Sequence, residues 1–211
     1  MEDVLRVYAR PYDPRRPVVC LDERPVVLHA STRTASPMKP GKSARTDYEY
    51  ARHGTANAFC IVEPLTGRRL THATMRRGYR DFAKALARIS RRYSTATKIH
   101  LVVDNLSTHE EKACLVTYGE RRGRALWRRF TLHYTPKHGS WLNAAEMEVS
   151  LLARQCLGHR RIAVFTELRR EVAIWSRQTD RRRRPIAWKF RVKDARRVFR
   201  YDGITTSRSE D

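Results

Sequence analysis

The sequence predicts an α/β fold, and three observations carry the prediction. Strand-like and helix-like segments alternate along 211 residues, a length that fits one α/β domain with a sizeable core. Two segments, 17–22 and 98–104, are apolar at both parities, as strands covered on both faces are. Between strands, residues 79–92 are amphipathic at helical spacing, which is how a helix packs on such a sheet.

The first strand is expected over residues 17–22, where Val18 and Cys20 share parity with Asp22 while Val19 and Leu21 point the other way. Residues 30–51 then turn polar, with Ser31, Thr32, Ser36, Pro37, Pro40, Gly41 and Lys42, and are expected to form a loop or irregular excursion. Segments 56–62 and 68–74 read as the second and third strands, joined by the turn-rich Glu63-Pro-Leu-Thr-Gly67 as a hairpin. In the helix from Tyr79 to Arg92, Phe82, Ala83, Leu86 and Ile89 form the stripe that meets the sheet. The fourth strand is expected over 98–104, with a short helix after it at 110–118, and the fifth over 130–134. Thr135-Pro-Lys-His-Gly-Ser140 is a loop broken by Pro136 and Gly139, with Ser140 placed to cap a helix from Trp141 to Cys156. A further helix is expected over 166–176, before the run Arg181 to Arg184 and the segment Ile186-Ala-Trp-Lys-Phe190. The expected division is a linker at 1–16, a catalytic-size domain at 17–178 and a basic extension at 179–211.

The chain carries 44 Lys+Arg against 22 Asp+Glu, a formal charge of +22. The runs Arg121-Arg122, Arg128-Arg129, Arg160-Arg161 and Arg181 to Arg184 suit phosphate contacts, so nucleic acid is the expected partner. A single arginine pair is as easily a solvated face, but solvation does not account for the total. No run of about 18 apolar residues is present to span a membrane. Met1-Glu-Asp-Val-Leu-Arg6 lacks the apolar stretch of a secretory signal, so no membrane partner and a cytoplasmic location are expected. Cys20, Cys60, Cys114 and Cys156 stand far apart in apolar stretches and are expected to be buried free thiols.

Against that background three acids stand out: Asp22 in Val18-Val-Cys-Leu-Asp-Glu23, Asp104 in Leu101-Val-Val-Asp-Asn105, and Glu146 in Trp141-Leu-Asn-Ala-Ala-Glu146. Carboxylates that end apolar strands in so basic a chain call for a counter-charge, and magnesium, a hard dication that takes oxygen ligands, supplies one. Two such ions about 3.5–4 Å apart suit an in-line phosphoryl displacement. On DNA, attack by water frees a 3′ hydroxyl, and attack by that hydroxyl on a second duplex joins strands. The competing readings are a turn carboxylate for Asp22, a turn or helix cap for Asp104 with Asn105 satisfying loop amides, and a solvated acid for Glu146. Glu148 is the rival to Glu146, since two residues on an α-helix lie about 200° apart and cannot face one site equally. His109 is a candidate to hydrogen-bond a phosphate or to orient a metal ligand. Asn143 is a candidate to touch DNA or a metal-bound water, or else to satisfy the preceding loop, and Lys137 to bind phosphate. Trp141 and Trp188 are expected to pack rather than to stack on a base.

Four segments carry a resemblance: Val19-Cys-Leu-Asp-Glu-Arg-Pro25, Tyr50-Ala-Arg-His-Gly-Thr-Ala-Asn57, Val103-Asp-Asn-Leu-Ser-Thr-His109 and His133-Tyr-Thr-Pro-Lys-His-Gly-Ser-Trp-Leu-Asn143. In wording and order they resemble the DDE transposases of bacterial insertion sequences, in the mariner-like superfamily, and in particular the group called insertion sequence six-thirty. Arg154-Gln-Cys-Leu157 and Trp188-Lys-Phe190 fit the same pattern, so the resemblance spans about residues 17 to 200, with Gly-Ser-Trp-Leu-Asn-x-x-Glu146 its most specific part. It implies a ribonuclease H-like, retroviral integrase-like fold: a mixed five-stranded sheet flanked by helices, with an acidic triad at one edge. Carried over residue by residue, Asp22, Asp104 and Glu146 are the catalytic metal ligands, and the spacing from Asn143 favours Glu146 over Glu148. The ions implied are two Mg2+, with Mn2+ as a substitute.

The activity implied is DNA strand cleavage and strand transfer in bacterial, nucleoid-associated transposition. It acts at terminal inverted repeats, inserts at TA dinucleotides and is carried out by at least a homodimer on DNA. Relatives of this type also carry helix-turn-helix units ahead of the catalytic domain, whereas about 17 residues precede the first strand here. End recognition is therefore expected from a separately encoded N-terminal part. The alternative is a truncated remnant that binds DNA through phosphates with little sequence preference. A nuclease acting on RNA–DNA hybrids shares the fold and the metals but gives no reason for the Gly-Ser-Trp-Leu-Asn string.

Overall fold

In the computed structural model, which describes residues 1–33, 36, 38–43, 48–158 and 160–201, a single five-stranded sheet runs in the order β3-β2-β1-β4-β5. β1 (Val18–Ser31), β2 (Tyr50–Glu63) and β3 (Arg68–Thr74) pair antiparallel. β4 (Ile99–Val103) joins β1 in parallel, and β5 (Phe130–Tyr134) joins β4 in parallel, so the sheet is mixed as the resemblance implied. The crossover from β3 to β4 is α2 (Tyr79–Arg92), whose stripe Phe82, Ala83, Leu86 and Ile89 is fully buried.

Parity sorts the core. Val19, Leu21, Phe59, Ile61, Leu101 and Val103 face α2 and α3 (Glu111–Trp127). Val18, Cys20, Val62 and Val102 face the opposite layer, which holds α1 (Glu2–Tyr8), Leu142 and α6 (Val192–Phe199). Farther along the same face, Val26, Leu28, Ala58 and Cys60 meet α5 (Phe165–Arg182). Asp22 therefore opens toward one layer and Glu23 toward the other.

β3, α2 and β5 fall where the sequence places them, while β1 and β2 run longer than expected at 14 residues each. β1 continues past its pairing with β4, which ends at Cys20↔Val102, so Pro25 sits where the β4 side of the strand is open and no ladder donor is needed there. The polar excursion accordingly begins after Ser31, and residues 34, 35, 37 and 44–47 of it lie outside the described residues.

The helix expected from Trp141 to Cys156 is three pieces: a 3-10 turn Ser140–Leu142, α4 (Ala145–Leu151) and a π-helical turn Leu152–Leu157. Ser140 makes no side-chain cap; Asn143, in extended conformation, interrupts the helix. α3 contains the short helix expected at 110–118, breaks at Gly119 with φ 76°, and turns back so that Gly123 lies against Cys114. A Cβ at Gly123 would stand 2.7 Å from the Cys114 carbonyl oxygen, so only glycine allows that approach.

The segment 1–16, expected as a linker, carries α1 with Val4, Leu5 and Val7 buried. Hydrogen bonds from Arg10 to His100 (2.6 Å), between His100 and His133 (3.0 Å) and between His133 and Asp3 (2.7 Å) tie it to β4 and β5. The segment 179–211, expected as a basic extension, contributes the end of α5 and then α6 with Ala195 buried. All four cysteines are buried and free, and no described helix is long and apolar enough to cross a membrane.

His72 on β3 stacks on Phe59 with ring centroids 5.4 Å apart, and both its ring nitrogens are buried without a hydrogen bond. Burial, with the Arg88 charge adding to it, pushes its pKa down to about 3, so the ring folds neutral. The unfolded histidine takes up a proton near pH 6.5 and the folded one does not. Stability is therefore full above that pH and is lost as pH falls toward 3. His72→Phe is expected to raise stability by about 1–3 kcal/mol at pH 7 and to flatten this acid limb, as read by urea unfolding at pH 7 and pH 4.5.

Candidate active site

The parallel register Val18↔His100, Val19↔Leu101, Cys20↔Val102 carries two residues on to set Asp22 level with Asp104, at the same end of neighbouring strands and at the same parity. Glu146 comes to them from the first turn of α4, which is packed on β1 and β2. Asn143 sets that approach. Its Nδ2 donates to the Leu21 carbonyl at 2.7 Å and its Oδ1 accepts from Ala145 N at 3.1 Å, so one buried amide pins the start of α4 beside Asp22. Both ends of the Asn143 amide are used inside the protein.

Asp22 is the most perturbed acid of the group. Burial pushes its pKa up to about 7, against the hydrogen bond its Oδ1 accepts from Glu23 N at 2.8 Å, and the charges of Glu23, Glu146 and Asp104 push it further. Glu146 is exposed. Among the described residues no lysine or arginine lies within 4 Å of Asp22, Asp104 or Glu146, although the chain holds twice as many basic residues as acidic ones. Carboxylates that converge on Asp22 and raise its pKa, with no lysine or arginine ion-paired to them among the described residues, form a donor set suited to a divalent metal.

His109 and Glu23 complete the arrangement on the other side of the sheet. The His109 ring is buried against Phe82 (4.3 Å between centroids), with Nε2 at 3.0 Å from Glu23 Oε1 and Nδ1 at 3.0 Å from the Asp104 carbonyl. Nδ1 is also 2.9 Å from Asp104 Oδ1, but its N–H is aligned with the carbonyl, leaving the carboxylate oxygen in electrostatic contact without a well-formed hydrogen bond. Burial by itself depresses this imidazole; the hydrogen bonds to Asp104 and Glu23 and the Glu23 charge outweigh it and push the pKa up to about 10. The close approach of the His109 N–H, with its charge, holds Asp104 below the usual carboxylate range despite its partial burial. Tyr134 O–H donates to the His109 carbonyl at 2.6 Å and fixes the loop.

Ligand atoms of Glu23, Asp104 and His109 lie within 4.8 Å of one another, and both ring nitrogens of His109 are already engaged by Glu23 and Asp104. The trio is a bridge from β1 to the loop after β4. Strand alternation turns Glu23 away from Asp22. It does face away, and the adjacent acidic pair Asp22-Glu23, one residue for each face, was the available signal.

Asn105 and Lys137 are exposed. Glu148 is wholly buried on the far side of α4, with its Oε2 2.9 Å from Arg69 Nε, and is not at this edge. Trp141 packs on Phe190 and remains 45% exposed, while Trp188 packs on Tyr8.

A mixed sheet in this order, with helices on both faces and carboxylates at the ends of its adjacent central strands, is a ribonuclease H-like fold. The sequence pattern of the DDE superfamily endonucleases matches residues 17–169, and the chain belongs to that family. Endonucleases of this kind work with divalent metal ions. Among solved structures, the fold is similar to the Mos1 mariner paired-end complex with Mn (13% identity, TM-score 0.53, 84% of this chain and 54% of that one). It is also similar to the Mos1 strand transfer complex (12% identity, TM-score 0.53, 84% of this chain and 53% of that one). The chain thus spans about half the length of the solved structures it matches. No curated protein matches it.

Proposed function

We propose that this chain is the catalytic part of a DNA transposase, with Asp22, Asp104 and Glu146 as ligands of two divalent ions, magnesium in the cell and manganese as a substitute. The observation that carries the reading is the level pairing of Asp22 with Asp104, with the Glu146 charge directed at the same point. When bound, the metal would stabilise the charge developing on the attacking and leaving oxygens. The residues of the chain do the rest. Asn143 holds α4 so that Glu146 faces Asp22, and the Glu23–His109 bridge holds the Asp104 carboxylate ionised and in place. In the first displacement water bonds to phosphorus as the 3′ oxygen leaves as a hydroxyl. In the second that hydroxyl bonds to a target phosphorus and displaces a target 3′ oxygen.

The DNA partners would be transposon ends with terminal inverted repeats and a TA target, handled by a homodimer, with end recognition by a separate helix-turn-helix part. Support comes from the family's endonuclease chemistry and from the fold shared with Mos1. The test is nicking and strand transfer by the purified chain on repeat-bearing DNA. Activity is expected with Mg2+ or Mn2+, to vanish on chelation, and to be lost in Glu146→Gln. A Glu146→Gln protein as active as the parent, or cleavage that survives chelation, would sink the assignment.

A further inference from the structure

Arg24 stands apart from the other arginines that this fold takes in. Arg69 is paired with Glu148, and Arg129 is held by the Ser90, Tyr93 and Ala96 carbonyls. Arg68 faces Glu63 and the Tyr93 ring, and Arg161 reaches Ser31 and the Glu49 carbonyl. Arg24 is half-buried, its Nε is shut away from solvent without a hydrogen bond, and among the described residues no carboxylate lies within 4 Å of it. Its Nη atoms, which make no hydrogen bond and are not enclosed, remain open to solvent. A partly desolvated guanidinium with an idle N–H and no counter-ion is costly unless an anion comes to it.

Its place says which anion. Arg24 follows Asp22 by two residues and shares its face of β1, about 6–7 Å farther along the strand. Its neighbours across the sheet are Ala58 and then Ala73, small residues that leave the guanidinium room. Cys60, the cross-strand partner of Asp22, follows Ala58 on the same face of β2, so Arg24 and the carboxylate edge share one face of the sheet. A step of this length is comparable with the spacing of successive phosphates along one DNA strand, and the planar guanidinium fork matches a phosphate's oxygens.

We infer that Arg24 binds a phosphodiester of the cleaved strand, the one adjacent to the phosphate held at Asp22, Asp104 and Glu146. The inference rests on the proposed role of those three acids and adds a contact that sets where on the strand the site closes. Arg24 is a substrate-binding residue that fixes register, and it takes no part in bond making.

The experiment is a double-substitution cycle on the full chain. Duplexes carrying a single uncharged methylphosphonate at each phosphate flanking the scissile one are tested with the parent, Arg24→Gln and Arg24→Lys, for binding by fluorescence anisotropy and for cleavage. Arg24→Gln is expected to weaken binding of the unmodified duplex about ten- to a hundredfold, with Arg24→Lys in between. At one flanking position the methylphosphonate should cost the parent the same factor and cost Arg24→Gln nothing more. Thermal melting should find Arg24→Gln at least as stable as the parent, because the variant removes a desolvated cation. Additive losses at every flanking phosphate, or an Arg24→Gln protein that binds like the parent, would overturn the inference. Coupling in binding with no metal-dependent cleavage by the parent would instead overturn the catalytic reading and leave the phosphate contact standing.

Discussion

Asp22→Asn is expected to abolish metal-dependent cleavage, by about a thousandfold or more, while making the metal-free protein more stable at alkaline pH. The two effects have one cause. Asp22 is pressed into a half-buried position beside Glu23, Asp104 and Glu146, and its pKa rises to about 7. In the unfolded chain the same carboxyl loses its proton near pH 4. Between those values the folded state binds more protons than the unfolded one, so stability falls as pH rises from about 4 to 7 and stays reduced above. Asparagine carries no charge and removes that penalty; a bound dication removes it too, by supplying the opposite charge. Melting curves at pH 5 and pH 8 check the first half, and single-turnover cleavage with Mn2+ titration checks the second. The parent should gain stability from Mn2+ at pH 8, and Asp22→Asn should gain little. An Asp22→Asn protein less stable than the parent at pH 8 would mean that the carboxylate is held by partners and not strained by them.

The elements that run through apolar pattern were legible in the chain. β3, α2 and β5 have their expected bounds because side-chain parity or a helical stripe decides them. What escaped was whatever a partner decides. Residues 23–31 look like the end of a strand, with two charges and Pro25, and continue as one only because β2 pairs along their whole length while β4 stops short. α1 and α6 are too short for a periodic signal and exist by docking on Val18, Cys20 and Leu142. The 200° argument said only that Glu146 and Glu148 cannot face one site, and the two do lie on opposite sides of α4, with Glu148 buried against Arg69 and Glu146 exposed. The Glu23–His109–Asp104 bridge was not legible, since it joins residues 86 positions apart whose meeting depends on the parallel pairing of β1 and β4.

The largest stability effect is expected at Arg69. Glu148 is wholly buried, with Arg69 Nε 2.9 Å from its Oε2, yet neither carboxylate oxygen receives a well-aligned hydrogen bond. Burial holds the Glu148 pKa above the usual range in spite of the arginine. Arg69 is better placed, since its Nη1 also donates to the Gly67 carbonyl at 2.7 Å and its backbone N–H to Asp180 at 2.9 Å. Arg69→Met leaves a buried carboxylate alone and should cost about 3–5 kcal/mol in urea unfolding at pH 7. The loss should shrink at pH 5, where the orphaned carboxyl more readily keeps its proton. Adding Glu148→Leu should restore most of the stability, because two apolar side chains fill the space without the desolvation of either charge. The cost of the single variant reaches the active edge as well. α4 spans only Ala145–Leu151 and turns Glu146 and Glu148 to opposite sides. A Glu148 that rotates toward water therefore carries Glu146 away from Asp22. Cleavage should fall with stability in Arg69→Met and return in the double variant; unchanged urea midpoints in Arg69→Met would show that the pair contributes nothing to holding α4.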